Sequence, residues 1–186
     1  PPVLTFTSSL IGVTTRGSWH VRPEGMNVSR LLELLNLEPL PGEGGFYRET
    51  YRSASTWISD GKPRRPLSTA IYFLLTPGTP SRIHRLPFDE VYHFYLGDPV
   101  ELLLLGPGES EIMLLGNDLF EGMQPQICVP ANTWQGSRVR EGGTFALLGT
   151  TMAPGFHFQD LVLGERDDLL QKYPDRSELI QALTCE

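Results

Sequence analysis

From Gly45 to about Leu148 the chain is cut into short runs rich in Tyr, Phe, Ile, Leu and Val. Turn residues separate them: Pro77-Gly78, Gly97-Asp98, Gly106-Pro107-Gly108, Gly116-Asn117-Asp118 and Glu141-Gly142-Gly143. Short strands at this cadence predict a β-sandwich or barrel, and no helix-length period interrupts them. Helical periodicity flanks the strands. Val28, Leu31, Leu32 and Leu35 are spaced for one face of a helix, expected from about Val28 to Leu37, with Asn27 as N-cap and Pro39-Leu40-Pro41-Gly42 as the stop. A second helix is expected over Asp167 to Tyr173. Pro174 ends it, and Asp175 with Glu178 resembles a capping box for a last helix carrying Leu179, Ile180 and Leu183. The 186 residues are enough for one domain with a sizeable core.

Composition narrows the function. The net charge of −7 disfavours nucleic acid or an anionic membrane as partner. The apolar runs Ala70 to Leu75 and Leu102 to Leu105 are too short to span a bilayer and predict buried strands. Lys62, Arg64 and Arg65 sit among prolines and are expected in a solvated loop. Cys128 and Cys185 are too far apart in sequence to suggest a disulfide framework or a zinc site, so a reducing, cytoplasmic location is expected. Pro1 to Val13 lacks the features of a signal peptide, and the start on Pro-Pro reads as a truncated precursor, with Met26 a candidate natural start.

The stretch His84 to Gly97 concentrates the chemistry. His84, Glu90 and His93 are side chains that bind metals or move protons. The apolar residues around them predict a half-buried strand that turns at Gly97-Asp98-Pro99. A barrel presents polar groups to its interior in this way.

Five segments, in order, carry a resemblance. They are Pro41 to Arg52 (PGEGGFYRETYR), Ser68 to Leu75, Ser81 to Gly97, Val129 to Gln135 (VPANTWQ), and Pro154-Gly155-Phe156. The chain resembles the cupin superfamily, and within it the family called domain of unknown function 985, or cupin-5. The resemblance implies an all-β jelly-roll barrel with a short N-terminal helix and C-terminal helices. It gives a single cupin domain over residues 27–186, with residues 1–26 as an extension outside the match.

Many cupins hold a divalent metal with three His and one Glu. Matched to those motifs, His84 stands at the first His, Leu86 at the second, Glu90 at the Glu and Gln135 at the third His. Leu offers no ligand and Gln a weak one, so no cofactor is expected. A metal-dependent alternative would use His84, Glu90 and His93. Glu90 and His93 differ by an odd number, so a regular strand turns them to opposite faces, and only a bulge would unite them.

The resemblance places His84 and Glu90 on the cavity wall, where a carboxylate beside an imidazole forms an acid/base pair. Gln135 takes the position of a metal-binding His, so it is expected inside; its neighbour Trp134 then faces the core or rim. Alternation in the strand Gly45 to Arg52 puts Tyr47, Glu49 and Tyr51 on one face and Phe46, Arg48, Thr50 and Arg52 on the other. One face is expected to complete the pocket and the other to carry dimer contacts, with Tyr47, Glu49 and Tyr51 the ligand-binding candidates. His93 is a further ligand-binding candidate, and His157 a weak one.

Two classes of function fit. One is a metal-independent epimerase or isomerase acting on a small polar or sugar-like molecule, with His84 and Glu90 catalytic and Tyr47 or Tyr51 as the acid. The other is a non-catalytic barrel that binds such a ligand. Cupin relatives commonly pair through N-terminal strands, and small barrels leave edges to cover, so a homodimer is expected.

Overall fold

The computed structural model describes residues 27–58 and 64–184. Helix α1 (Val28–Leu35) comes first, then strands β1 (Glu38–Pro39), β2 (Phe46–Arg52), β3 (Thr56–Trp57), β4 (Arg65–Pro66) and β5 (Thr69–Leu75). Next are β6 (Ser81–Arg85), β7 (Glu90–Gly97), β8 (Val100–Gly106), β9 (Glu109–Leu115), β10 (Gln126–Val129), β11 (Trp134–Val139), β12 (Ala146–Met152) and β13 (Val162–Leu163). Helices α2 (Arg166–Lys172) and α3 (Ser177–Leu183) close the chain. The main sheets are antiparallel, ordered β1-β2-β5-β12-β7-β10 and β13-β6-β11-β8-β9, and β3 and β4 form a small ribbon. They pack face to face as a jelly roll. Among the described residues no helix is long and apolar enough to cross a membrane.

The expected segment His84 to Gly97 is two strands rather than one. Leu86 to Asp89 turns the chain from β6 into β7, and so carries it from one sheet to the other.

The apolar runs without alternation are strands buried on both faces. On β5, Phe73 and Leu75 join the core between the sheets, and Leu74 joins a second cluster with Leu31 and Leu147 beneath α1. On β8, Leu102 faces inward, and Leu103 and Leu105 pack beneath α2 and α3 with Leu169, Ile180 and Leu183. The outward apolar residues of β5 and β8 are thus covered by the chain's own helices.

Helix α1 begins at the expected cap: the Asn27 side chain accepts from the Arg30 backbone N–H at 2.9 Å. It ends earlier than expected, because Asn36 turns left-handed at φ 49°. The expected capping box at α3 does not form. Instead Asp175 accepts from the Ser110 hydroxyl at 2.8 Å, tying the helical tail to β9.

Three register shifts decide which side chains face inward. One, at Tyr95 on β7, puts Phe94 in the inner core and Leu96 beneath α1, and the other two shape the cavity. On β6, His84 lies opposite Gln135 while Ser81 lies opposite Ser137, so the register slips between them. Both Ser81 and His84 then point into the barrel, although an odd spacing would separate them in a regular strand. The slip brings Ile83 close to Gly136, where an added Cβ would meet the Ile83 side chain at 2.9 Å and its backbone N and Cα at 3.2 Å. On β2, Glu49 pairs with Ile71 but Tyr51 pairs with Ala70. Thr50 takes up the slip, and every later side chain changes face.

One expectation is reversed outright. Arg65 is not in a solvated loop. It is 5 % exposed and forks onto Asp160, with Nε donating to Oδ2 and a terminal nitrogen to Oδ1, both at 2.6 Å. Arg64 is exposed, and Lys62 lies outside the described residues.

Candidate functional site

A cavity of about 270 Å³ lies against β2, β5, β7 and β12 of the six-stranded sheet, with residues between the strands completing its wall. Leu40, Ile71, Phe73, Leu86 and Met152 form its apolar walls. Phe156 and Phe158, packed edge to face at 5.1 Å, form part of its boundary. Polar groups enter at particular points: Glu43 and Glu90 with Thr150, and Tyr47, Thr69, Glu49 and Arg52.

Glu90 opens β7, between Val129 of β10 and Met152 of β12. It is 7 % exposed. Burial and the nearby Glu43 carboxylate push its pKa above the usual glutamate range, against the smaller opposing influences of His84, Thr150 and Gln135. Gln135 is 1 % exposed and donates its amide nitrogen to Glu90 Oε2 at 2.7 Å.

His84 is fully buried and does not itself line the cavity. Its Nδ1 lies 2.8 Å from the Arg82 carbonyl; a carbonyl only accepts, so Nδ1 carries hydrogen. Nε2 is left facing Glu43 Oε2 at 3.9 Å. Glu43 therefore stands beside His84 on the cavity wall, an unexpected member of the site. Its other oxygen accepts from the Ser81 hydroxyl at 2.8 Å. Tyr92 also hydrogen-bonds with Ser81, and burial with the nearby carboxylates drives its hydroxyl pKa well above the ordinary value.

Glu43 reaches this position through its loop. Gly42, Gly44 and Gly45 all take positive φ, at 80°, 105° and 67°. The Glu43 carbonyl accepts from the Arg82 N–H at 2.8 Å, pinning the loop to β6. At Gly44 a Cβ would stand 2.3 Å from the Pro80 carbonyl oxygen, so only glycine allows this approach. The one signal in the sequence was a charged residue inside a glycine loop.

The remaining candidates separate. Tyr47 and Glu49 line the cavity. Tyr51 does not: the β2 bulge turns it outward, 53 % exposed, and Arg52 takes its place on the wall. Arg52 forks onto Glu49 at 2.8 and 2.6 Å and reaches the Phe156 carbonyl at 3.5 Å. His93 lies outside the cavity, bonded to Thr151 at 3.1 Å and Gln126 at 3.1 Å and stacked on Tyr95. Regular alternation from Glu90 puts it on the sheet's outer face. Trp134 packs under the C-terminal helices, with Arg85 over its ring at 4.7 Å. His157 accepts from the Gln159 N–H at 3.2 Å and caps a single helical turn.

The positions that would carry a three-His, one-Glu metal centre hold His84, Leu86, Glu90 and Gln135. Leu86 is a buried cavity wall without a donor atom, and the Gln135 amide is already turned onto Glu90. Among the described residues no group of three or more His, Cys, Asp or Glu is placed to hold a metal ion. The donor set does not fit such a centre.

A jelly roll with its polar cluster held inside the barrel is the architecture of a cupin. The chain belongs to the cupin superfamily family DUF985, whose model matches residues 29–164. It is 37 % identical to protein SO0799 from Shewanella oneidensis, with a TM-score of 0.78 over 86 % of this chain and 98 % of that one. A hypothetical protein from Leishmania major is 30 % identical, with a TM-score of 0.79 over 87 % of this chain and all of its own. The uncharacterised Saccharomyces cerevisiae protein YML079W is 27 % identical over 143 residues, covering 69 % of this chain and 71 % of its own.

Proposed function

We propose that the barrel binds a small polar molecule with an apolar flank, and that Glu43, His84 and Glu90 exchange a proton with it. This is the chemistry of an epimerase or isomerase that needs no metal. The observation that carries the reading is Glu90, a carboxyl group on an apolar cavity wall whose pKa is raised by burial and by Glu43. A carboxyl shifted upward keeps its proton to higher pH, which suits it to general acid catalysis. Glu43 is the second carboxyl, and His84 stands behind it to take up or return the proton. Because His84 is sealed from the cavity, protons pass between it and the ligand through Glu43. This changes the expected roles: Glu90 and Glu43 meet the ligand, and His84 serves as the inner reservoir.

The test is native mass spectrometry of the protein taken from cell extract, followed by transfer into D2O. The expected result is a co-purified small molecule that gains deuterium on carbon with the wild type but not with Glu90→Gln, in a preparation free of stoichiometric metal. A bound molecule that gains none would support the second reading, a non-catalytic binding barrel. That reading is favoured by one observation, the exclusion of His84 from the cavity wall.

A homodimer belongs to the same proposal. Tyr51 and Tyr95 are exposed at 53 % and 45 %, and β1 pairs with β2 only at Phe46 and Tyr47, leaving most of that edge open. Light scattering at micromolar concentration is expected to give twice the 20.8 kDa chain mass, and a particle of single mass would contradict it. A reducing cytoplasmic setting is part of the proposal too, supported by Cys128, which is free and exposed on β10.

A further inference from the structure

The cavity offers few free donors, and the Thr69 hydroxyl, which accepts from the Phe156 N–H, is one of them. Arg52 is committed to Glu49 and the Phe156 carbonyl. The Tyr47 hydroxyl is held by Glu38, and Thr150 by Glu90. The acceptors tell the opposite story. Glu43 and Glu90 are both buried, and both reach the cavity. Behind them, His84 Nε2 and Gln135 Oε1 are buried with no hydrogen-bond partner, on side chains 0 % and 1 % exposed. His84 Nε2 is aimed at Glu43 Oε2 at 3.9 Å, and when the imidazole is neutral one acceptor faces another. Such an arrangement is costly until a proton or a donor-rich group arrives.

We infer that the molecule this cavity takes carries an ammonium group, held against Glu43 and Glu90 with its apolar part against Phe73, Phe156 and Phe158. The inference rests on the proton-exchange reading and names the ligand class within it. An ammonium brings three donors and no acceptor, whereas a hydroxyl brings one donor and adds acceptors. Its charge relieves the repulsion between Glu43 and ionised Glu90. The chain's net charge of −7 also draws cations toward the barrel. A carboxylate or phosphate ligand would meet two carboxyls and no uncommitted cation among the described lining residues. A carbon bonded to the ammonium nitrogen would lie beside the same carboxyl pair, where an isomerase would move its proton.

The test is calorimetric titration of the full chain at pH 7 with benzylammonium, benzyl alcohol and benzoate, which share a ring and differ in head-group charge. Benzylammonium is expected to bind at least tenfold tighter than benzyl alcohol, and benzoate weakest. Glu43→Gln, which keeps an acceptor for Ser81, is expected to remove most of the preference for the cation. The wild-type comparison stands even if that variant folds poorly. Equal affinity for benzylammonium and benzyl alcohol, tighter binding of benzoate, or no binding of any probe at millimolar concentration would overturn the inference. Glu43-dependent binding of benzyl alcohol at least as tight as that of benzylammonium would overturn it while leaving the proton-exchange cavity standing. Deuterium uptake by the co-purified molecule judges that cavity separately.

Discussion

Arg65→Met is expected to lower folding stability by about 3 kcal/mol, because removing one partner of a buried ion pair strands the other. Asp160 is only 14 % exposed on its side chain and would keep its charge without its fork of donors. The damage should reach the cavity. Segment 154–160 is fastened by that pair, by the Gly155 N–H to the Pro66 carbonyl at 2.8 Å, and by the Phe156 N–H to Thr69 Oγ1 at 2.9 Å. It carries Phe156 and Phe158, which line the cavity. Urea denaturation is the check, with Arg65→Met/Asp160→Leu as control. The double variant is expected to recover most of the loss, since apolar replacement of a whole buried pair is often neutral. A single variant as stable as the wild type would show that the pair does not fasten the segment.

Glu90→Gln is expected to abolish proton exchange with the ligand and, at neutral pH, to raise the melting temperature. Both effects come from the same desolvation. The folded state raises the Glu90 pKa above its unfolded value. The folded protein therefore binds this proton more tightly than the unfolded chain. Stability from Glu90 is fully present below the unfolded pKa and is lost as pH rises through the folded one. Gln stays neutral throughout and escapes that loss. The advantage of the variant should thus be largest at neutral pH and close as pH falls into the ordinary glutamate range. A site that gives up stability for function behaves this way. Thermal melts of both proteins across pH 4 to 8 are the check. A variant less stable than the wild type at neutral pH would mean that ionised Glu90 is well solvated or well paired.

The two sides of this site were unequally legible in the sequence. Glu90 follows from the motif spacing and the regular alternation of β7, and Gln135 from the motif facing it. The strand cadence and the flanking helical periods carry the fold, because alternation and turn chemistry are local properties. What was hidden depends on pairing with distant strands. The β6 bulge that turns both Ser81 and His84 inward is fixed by the register against β11. The β2 bulge that exchanges Tyr51 for Arg52 is fixed by the register against β5. Glu43 belongs to no regular element, and three left-handed glycines aim it, through dihedral angles that no hydrophobic period reveals. Arg65 looked like a surface charge because its partner Asp160 lies 95 residues away.

The measurement closest to the central claim is a carboxyl 13C NMR titration of Glu90 in the wild type and in Glu43→Gln. Glu90 is expected to take up its proton above the ordinary glutamate range in the wild type. In the variant its pKa falls back toward that range without reaching it, because the neighbouring negative charge is gone while the burial remains. A Glu90 that titrates at the ordinary glutamate value, or whose pKa is unchanged by Glu43→Gln, would contradict the account.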